Sequence, residues 1–355
     1  METLYYIFIF LLSLFLCHFF DARSKIRSKI LVAIILSFFL AIRDVPGDNS
    51  QYQDAYLGLI YREYEYGWSC LILFFQKLGA SLVVYKWFAI YFLQILFFLL
   101  SVKKEWNYML PLIMFFYFCM GGIEQASNIM RQWLAACIGL YSFSVYLSKM
   151  GKYQKWSIFI LCIFLASLFH KSAVLLLLTP IILKLPYINR NLQVFIFIFT
   201  FFLSDLFVDL WVFMSSILNT EDFVYNWYFN EYELKKVELS SGIGQLWFLL
   251  EAIIVAWFSK KLFLYYNSQI LFQLYKLYII GMSLFFLFHS FTDMSRLVLY
   301  FQIVQLFIIP FIVYYLYKNK KEVLAYIIIG VRIIFFLQLT IKEDVFGVSP
   351  IKFLI

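Results

Sequence analysis

The chain has 355 residues, 64% of them hydrophobic and 14% charged, with a mean hydropathy of +0.84. A soluble domain ordinarily carries about 25% charged residues, so a single soluble core is excluded and a polytopic membrane protein is expected. The net charge of +8 sits in short clusters between apolar runs, which is a topology signal rather than a nucleic-acid footprint, and no nucleic-acid partner is expected.

From Met1-Glu2-Thr3 the chain passes straight into the apolar run Leu4–Phe20, with no basic leader and no small-x-small cleavage site, so a retained first helix is expected. Ile30–Ile42 follows. Next comes a polar island, Arg43–Tyr66, which holds Arg43, Asp44, Asp48, Asp54, Arg62, Glu63 and Glu65 among tyrosines. With the short run Trp68–Phe75 it is expected to form an external loop over residues 43–81. The runs then continue as Leu82–Leu100, Tyr108–Met120, Trp133–Leu147, Trp156–Phe169, Ala173–Leu185 and Leu192–Leu203. Residues 204–241 read as a second external loop, in which Asp205 and Asp209 share one face of a surface helix. The aromatic and acidic residues of its later part suit sugar rings or an interfacial belt equally. Ile243–Phe258, Ile270–His289, Leu297–Tyr317 and Val323–Ile341 close the series. Several runs fall short of the roughly 20 residues a crossing helix needs. About 10–13 spans are therefore expected, in an all-α single transmembrane domain over residues 1–355.

Positive charge orients these runs. If the first helix starts outside, every second loop carries a basic cluster. These are Arg23 to Lys29, Lys103 with Lys104, Lys149 to Lys155, Lys184 with Arg190, Lys260 with Lys261, and Lys318 to Lys321. That is the positive-inside pattern, and it puts both termini and the polar island outside.

Four arginines then stand on the outer side against the trend: Arg43, Arg62, Arg131 and Arg296. Each alone is satisfied by snorkelling or by a nearby acid. Together they favour an anionic ligand, because a guanidinium presents a planar fork suited to phosphate. Arg131 lies in GGIEQASNIMRQWLAA, where Glu124, Gln125, Asn128, Arg131 and Gln132 recur at helical spacing, giving a polar face that lines a cavity or packs on the island. His170, followed by Lys171-Ser172, is either a hydrogen-bonded boundary residue or a general base. His18 reads as packing, and His289 keeps a weaker claim to a site. The cysteines (Cys17, Cys70, Cys119, Cys137, Cys162) have no CxxC spacing and read as small packing residues. Neither a P-loop nor a GxGxxG motif occurs and no zinc or iron spacing is present, so no cofactor is expected; the one metal arrangement that the residues leave open is a divalent ion bridging Asp44, Asp48 and a phosphate.

Taken in order, several short motifs resemble the EpsG-type group of Wzy-like polysaccharide polymerases. They are Arg43-Asp44 with Gly47-Asp48 and Tyr52; Glu65 and Gly67 before a run ending Lys77-Leu78-Gly79; Met130-Arg131-Gln132 with Leu134-Ala135; His170-Lys171-Ser172-Ala173; and Arg296 with Tyr300-Phe301. Two departures stand out. Gly47 and Asp48 are adjacent where the group often has a residue between them, and Pro350-Ile351 stands where it has Pro-Tyr. The resemblance implies a GT-C-like, metal-independent glycosyltransferase at the outer face of the bacterial inner membrane. Its donor and acceptor would both be undecaprenyl-pyrophosphate-linked oligosaccharide, with membrane lipid and a chain-length regulator as further partners. Such chemistry needs charge stabilisation of the pyrophosphate, expected from Arg43, Arg131 and Arg296. It also needs a base for the acceptor hydroxyl, with Asp44, Asp48 and His170 as candidates. Tyr52, Glu65, Gln132 and Tyr300 are expected at the sugar. Two other classes compete. A lipid-linked oligosaccharide flippase or other transporter would gather charge near mid-membrane and show repeat symmetry. A membrane acyltransferase would want a better-supported histidine.

Overall fold

A computed structural model describes residues 2–19, 26–44, 48–61, 63–218, 243–289, 292–341 and 352–353, and of Arg43, Asp44 and Asp48 the backbone alone. The described chain is helical, as its composition requires, apart from one antiparallel bridge pairing Arg43 with Phe353 and Asp44 with Lys352. It divides into two compact units, one of residues 1–177 with 309–355 and one of residues 178–308.

The first unit is built around the Met130–Tyr146 helix. Ala135, Ala136, Cys137, Gly139 and Ser142 are all buried there. Lipid tails are as apolar as leucine, so helices in a bilayer associate through close packing rather than through the hydrophobic effect. Small residues permit that approach, and the Leu93–Ser101 and Lys152–Phe169 helices pack against this one. At Gly139 a Cβ would lie 2.8 Å from a Leu176 methyl. In the second unit the Gln269–Leu287 helix packs against Arg190–Leu218, Ile243–Tyr266 and Thr292–Gln302.

Among the described residues, four helices are long and apolar enough to cross a membrane: Leu82–Ser101, Lys152–Phe169, Arg190–Phe207 and Gln269–Leu287. The number is six if Lys104–Cys119 with Gly122–Asn128, and Arg296–Gln302 with Gln305–Lys318, are each one broken span. The protein is thus multi-pass, with fewer such helices than the 10–13 expected. The reason lies in the backbone. The Ala173–Leu185 run is a 3-10 stretch, Lys171–Leu178, followed by the short helix Thr179–Lys184. The Tyr108–Met120 run ends at a 53° bend, where Gly121 takes φ +79°, a conformation that a side chain disfavours. A second break at Ile129 (φ −114°, ψ 45°) divides the expected polar face, leaving Glu124, Gln125 and Asn128 on one short helix and Arg131 and Gln132 on the next.

Residues 43–81, expected as a loop, contain the helices Asp48–Tyr56 and Tyr66–Lys77. They are tied together by Gln76 Nε2, which donates to the Tyr56 carbonyl at 2.7 Å, and by the Tyr56 hydroxyl, which donates to the Ala80 carbonyl at 2.5 Å. The Tyr56 ring stacks on Tyr85 at 4.2 Å. The surface helix expected from residue 204 is the continuation of Arg190–Leu218, with Asp205 and Asp209 exposed, while 219–242 lie outside the described residues.

Several basic residues of the topology signal turn inward onto helix C-termini, where carbonyls lack partners and the dipole favours a cation. Lys29 Nζ donates to the Val102 carbonyl and Lys103 Nζ to the Ser144 carbonyl. Burial holds the Lys103 ammonium below its usual range, with Glu105 opposing. Lys276, which belongs to none of those clusters, does the same in the second unit, where its Nζ donates to the carbonyls of Leu183 (2.9 Å) and Leu185 (2.6 Å). Four cysteines are buried as expected, but Cys70 is exposed, and so is His18, which was expected to pack.

At Gly281 a Cβ would fall 2.6 Å from the Phe301 carbonyl carbon and 2.7 Å from the Gln302 nitrogen, which are backbone atoms that cannot swing aside. Gly281→Ala is therefore expected to lower stability by about 1–3 kcal/mol, read as a reduced Tm in detergent; an unchanged Tm would show that these two helices separate freely.

Candidate functional site

The first unit gathers a charged and aromatic cluster from three distant segments. Arg131 opens the Met130–Tyr146 helix, Tyr52 lies on Asp48–Tyr56, and Glu65 is the residue just before Tyr66–Lys77. Arg131 Nε donates to the Tyr52 hydroxyl at 2.7 Å, and Nη1 donates to Glu65 Oε2 in an ion pair. The guanidinium carbon lies 5.1 Å from the centroid of the Tyr64 ring and 5.6 Å from that of Tyr52. Those rings lie 5.0 Å apart, so the cation is held by charge, hydrogen bond and π-face at once.

The pair is neither sealed nor fully solvated, with the Arg131 side chain 21% exposed and that of Glu65 14%. Arg131 Nη2 makes no hydrogen bond among the described residues. The guanidinium therefore keeps donors for a ligand that reaches it from the open side. Glu65 could have capped its own helix, but its side chain makes no cap bond there. It is turned to Arg131 instead, close to a helix N-terminus, whose dipole favours an anion.

A layer of rings backs this cluster. Trp68 is fully buried and meets Tyr52 edge-on at 5.3 Å and Phe169 at 6.5 Å. Gly67 explains how the layer closes: a Cβ there would sit 2.9 Å from the Leu168 carbonyl oxygen. Only glycine lets the start of Tyr66–Lys77, and so Glu65, come this close to the end of Lys152–Phe169.

His170 follows Phe169 in extended conformation (φ −153°, ψ 117°) as that helix stops. Its Nδ1 lies 2.6 Å from the Ser172 hydroxyl, and its backbone N–H donates to the Ala166 carbonyl. Gln132 is buried beside Arg131. Asp44 and Asp48 have backbone positions in the same unit, Asp44 in the bridge to Lys352 and Asp48 at the start of the Tyr52 helix. Arg43 lies in that bridge too. Their side chains lie outside the described residues.

Arg296 and Tyr300 belong to the second unit, on Thr292–Gln302, Arg296 exposed and Tyr300 fully buried. His289, in the same unit, donates from Nδ1 to the Phe286 carbonyl at 2.6 Å and stacks on Phe201 at 4.9 Å, a partnered position. Among the described residues no group of three or more His, Cys, Asp or Glu side chains could hold a metal ion.

Tyr64 and Trp68 are the site residues that the sequence reading passed over. Tyr64 is next to Glu65, and Trp68 lies in the first turn of the helix that follows. Both lie in residues 43–81, which were read as a loop.

Tyr52→Phe keeps the ring but leaves the Arg131 Nε donor without its acceptor. It is expected to cost about 1–3 kcal/mol and to do so only while Arg131 is present, which a double-mutant cycle with Arg131→Lys on detergent Tm would measure.

The sequence model of the EpsG family matches residues 26–353. No curated protein and no solved structure matches the chain.

Proposed function

Because the chain belongs to the EpsG family, a Wzy-like polymerase family, we propose that it polymerises oligosaccharide repeat units carried on undecaprenyl pyrophosphate. The reaction transfers the growing chain from one lipid pyrophosphate onto a sugar hydroxyl of the next lipid-linked unit. It takes place at the outer face of the bacterial inner membrane and builds O-antigen or a related surface polysaccharide. This is glycosyl transfer on a GT-C-like scaffold, with donor and acceptor drawn from the same pool.

The observation that carries the reading is the Arg131 fork. A lipid pyrophosphate is already a good leaving group, and it needs preorganised positive charge more than it needs a proton. Arg131 is anchored through Nε and Nη1 and retains Nη2 toward an incoming anion. It is framed by Tyr52 and Tyr64, and aromatic faces of this kind also stack against sugar rings. In this reading Arg43 supports the same pyrophosphate, and Gln132 the sugar path. The acceptor hydroxyl needs a base, and Asp44, Asp48 and His170 are the candidates that the family resemblance offers. The positive-inside clusters support an outward-facing polar island.

Arg131→Ala is expected to abolish polymer formation while the protein still inserts at normal levels. The assay is a polysaccharide ladder from cells in which the variant replaces the wild-type gene. A ladder of normal length at normal expression would remove Arg131 from pyrophosphate binding.

A further inference from the structure

Glu65 has a feature that sugar binding leaves unused: its carboxylate is held by the same guanidinium that would receive the pyrophosphate. One cation cannot serve two anions equally. A pyrophosphate reaching Nη2 brings more negative charge than a carboxylate and accepts in the same bidentate geometry. The Nε bond to Tyr52 can persist while Nη1 turns from Glu65 to the phosphate oxygens. That leaves a carboxylate at low exposure, relieved of its cation, beside the bound donor. Such a carboxylate binds a proton more readily than a paired one.

We propose that Glu65 is the general base of the transfer, and that Arg131 masks it until the donor's pyrophosphate draws the guanidinium away. This rests on the polymerase reading above and deepens it. In the step, the acceptor hydroxyl oxygen attacks the anomeric carbon of the donor sugar and forms the new glycosidic bond. The bond from that carbon to the pyrophosphate oxygen breaks, and its electron pair leaves with undecaprenyl pyrophosphate, stabilised by Arg131. The hydroxyl proton passes to a Glu65 carboxylate oxygen and from there to solvent. Masking has a chemical use, since the base becomes competent only when a donor is present.

The test uses the full-length protein in liposomes and separates binding from turnover. Binding is measured with undecaprenyl pyrophosphate, and turnover with lipid-linked repeat units from the host strain. Glu65→Gln removes the competitor for Arg131, so it is expected to bind undecaprenyl pyrophosphate at least as tightly as wild type. Its turnover is expected to fall by about 10²–10⁴-fold, the usual worth of a positioned base. Glu65→Ala, tested for rescue, gives an independent arm: formate is expected to restore part of its turnover, which a purely structural carboxylate would not allow. Loss of binding and turnover together in Glu65→Gln, with no rescue of Glu65→Ala by formate, would make Glu65 a prop for Arg131 and overturn the proposal. Near-normal turnover in Glu65→Gln would overturn it as well. Wild-type protein that forms no polymer would instead bring down the polymerase reading itself.

Discussion

The fork of Arg131 onto Tyr52 and Glu65 is the contact on which the first unit's candidate site depends. It joins residues 79 and 66 positions apart in the chain, and in doing so it docks both short helices of the polar island onto the most buried helix. A guanidinium at a low-dielectric edge needs such partners, because an unpaired charge there is expensive. Tyr52 fixes the guanidinium through Nε, and Glu65 pairs with Nη1. The rings of Tyr52 and Tyr64 restrict it further, and Trp68 backs Tyr52. What results is a preorganised cation with one side open, the arrangement that charge stabilisation of a leaving group requires.

That cation can be held still because the scaffold behind it is closely packed. Gly67 against Leu168 and Gly139 against Leu176 are approaches that any larger residue would push apart. In lipid such approaches stand in for the hydrophobic driving force of a soluble core. The lysines do related work at the other helix ends. Lys29 and Lys103 were read as markers of membrane side, yet their ammonium groups also satisfy helix carbonyls.

Much of the site was legible from residue chemistry. Arg131, Tyr52 and Glu65 stood out as polar residues in a greasy chain, and the structure brings those three together. Their roles were less legible. Glu65 was expected at the sugar through the family resemblance, whereas its carboxylate pairs with Arg131. Tyr64 and Trp68 escaped notice because an aromatic residue in a membrane protein has an ordinary interfacial explanation. Gly67 was noticed as part of a motif, but its reason, the backbone of Leu168, belongs to a helix that begins 85 residues later.

By itself the sequence determined that the protein is helical, multi-pass and membrane-embedded, because burying so many apolar residues and satisfying the backbone in lipid leave little other choice. It also determined which residue types are available for chemistry, since charge is costly in such a chain and is kept where it has partners or a use. Only the tertiary structure decided where apolar runs break into bent or 3-10 segments, as at Gly121 and Ile129. Backbone strain and helix contact decide that, and hydropathy is blind to both. The tertiary structure also decided that Arg131 is anchored by Tyr52 and paired with Glu65. Pairing depends on which helices approach closely, and that approach is set by glycines whose neighbours lie far along the chain.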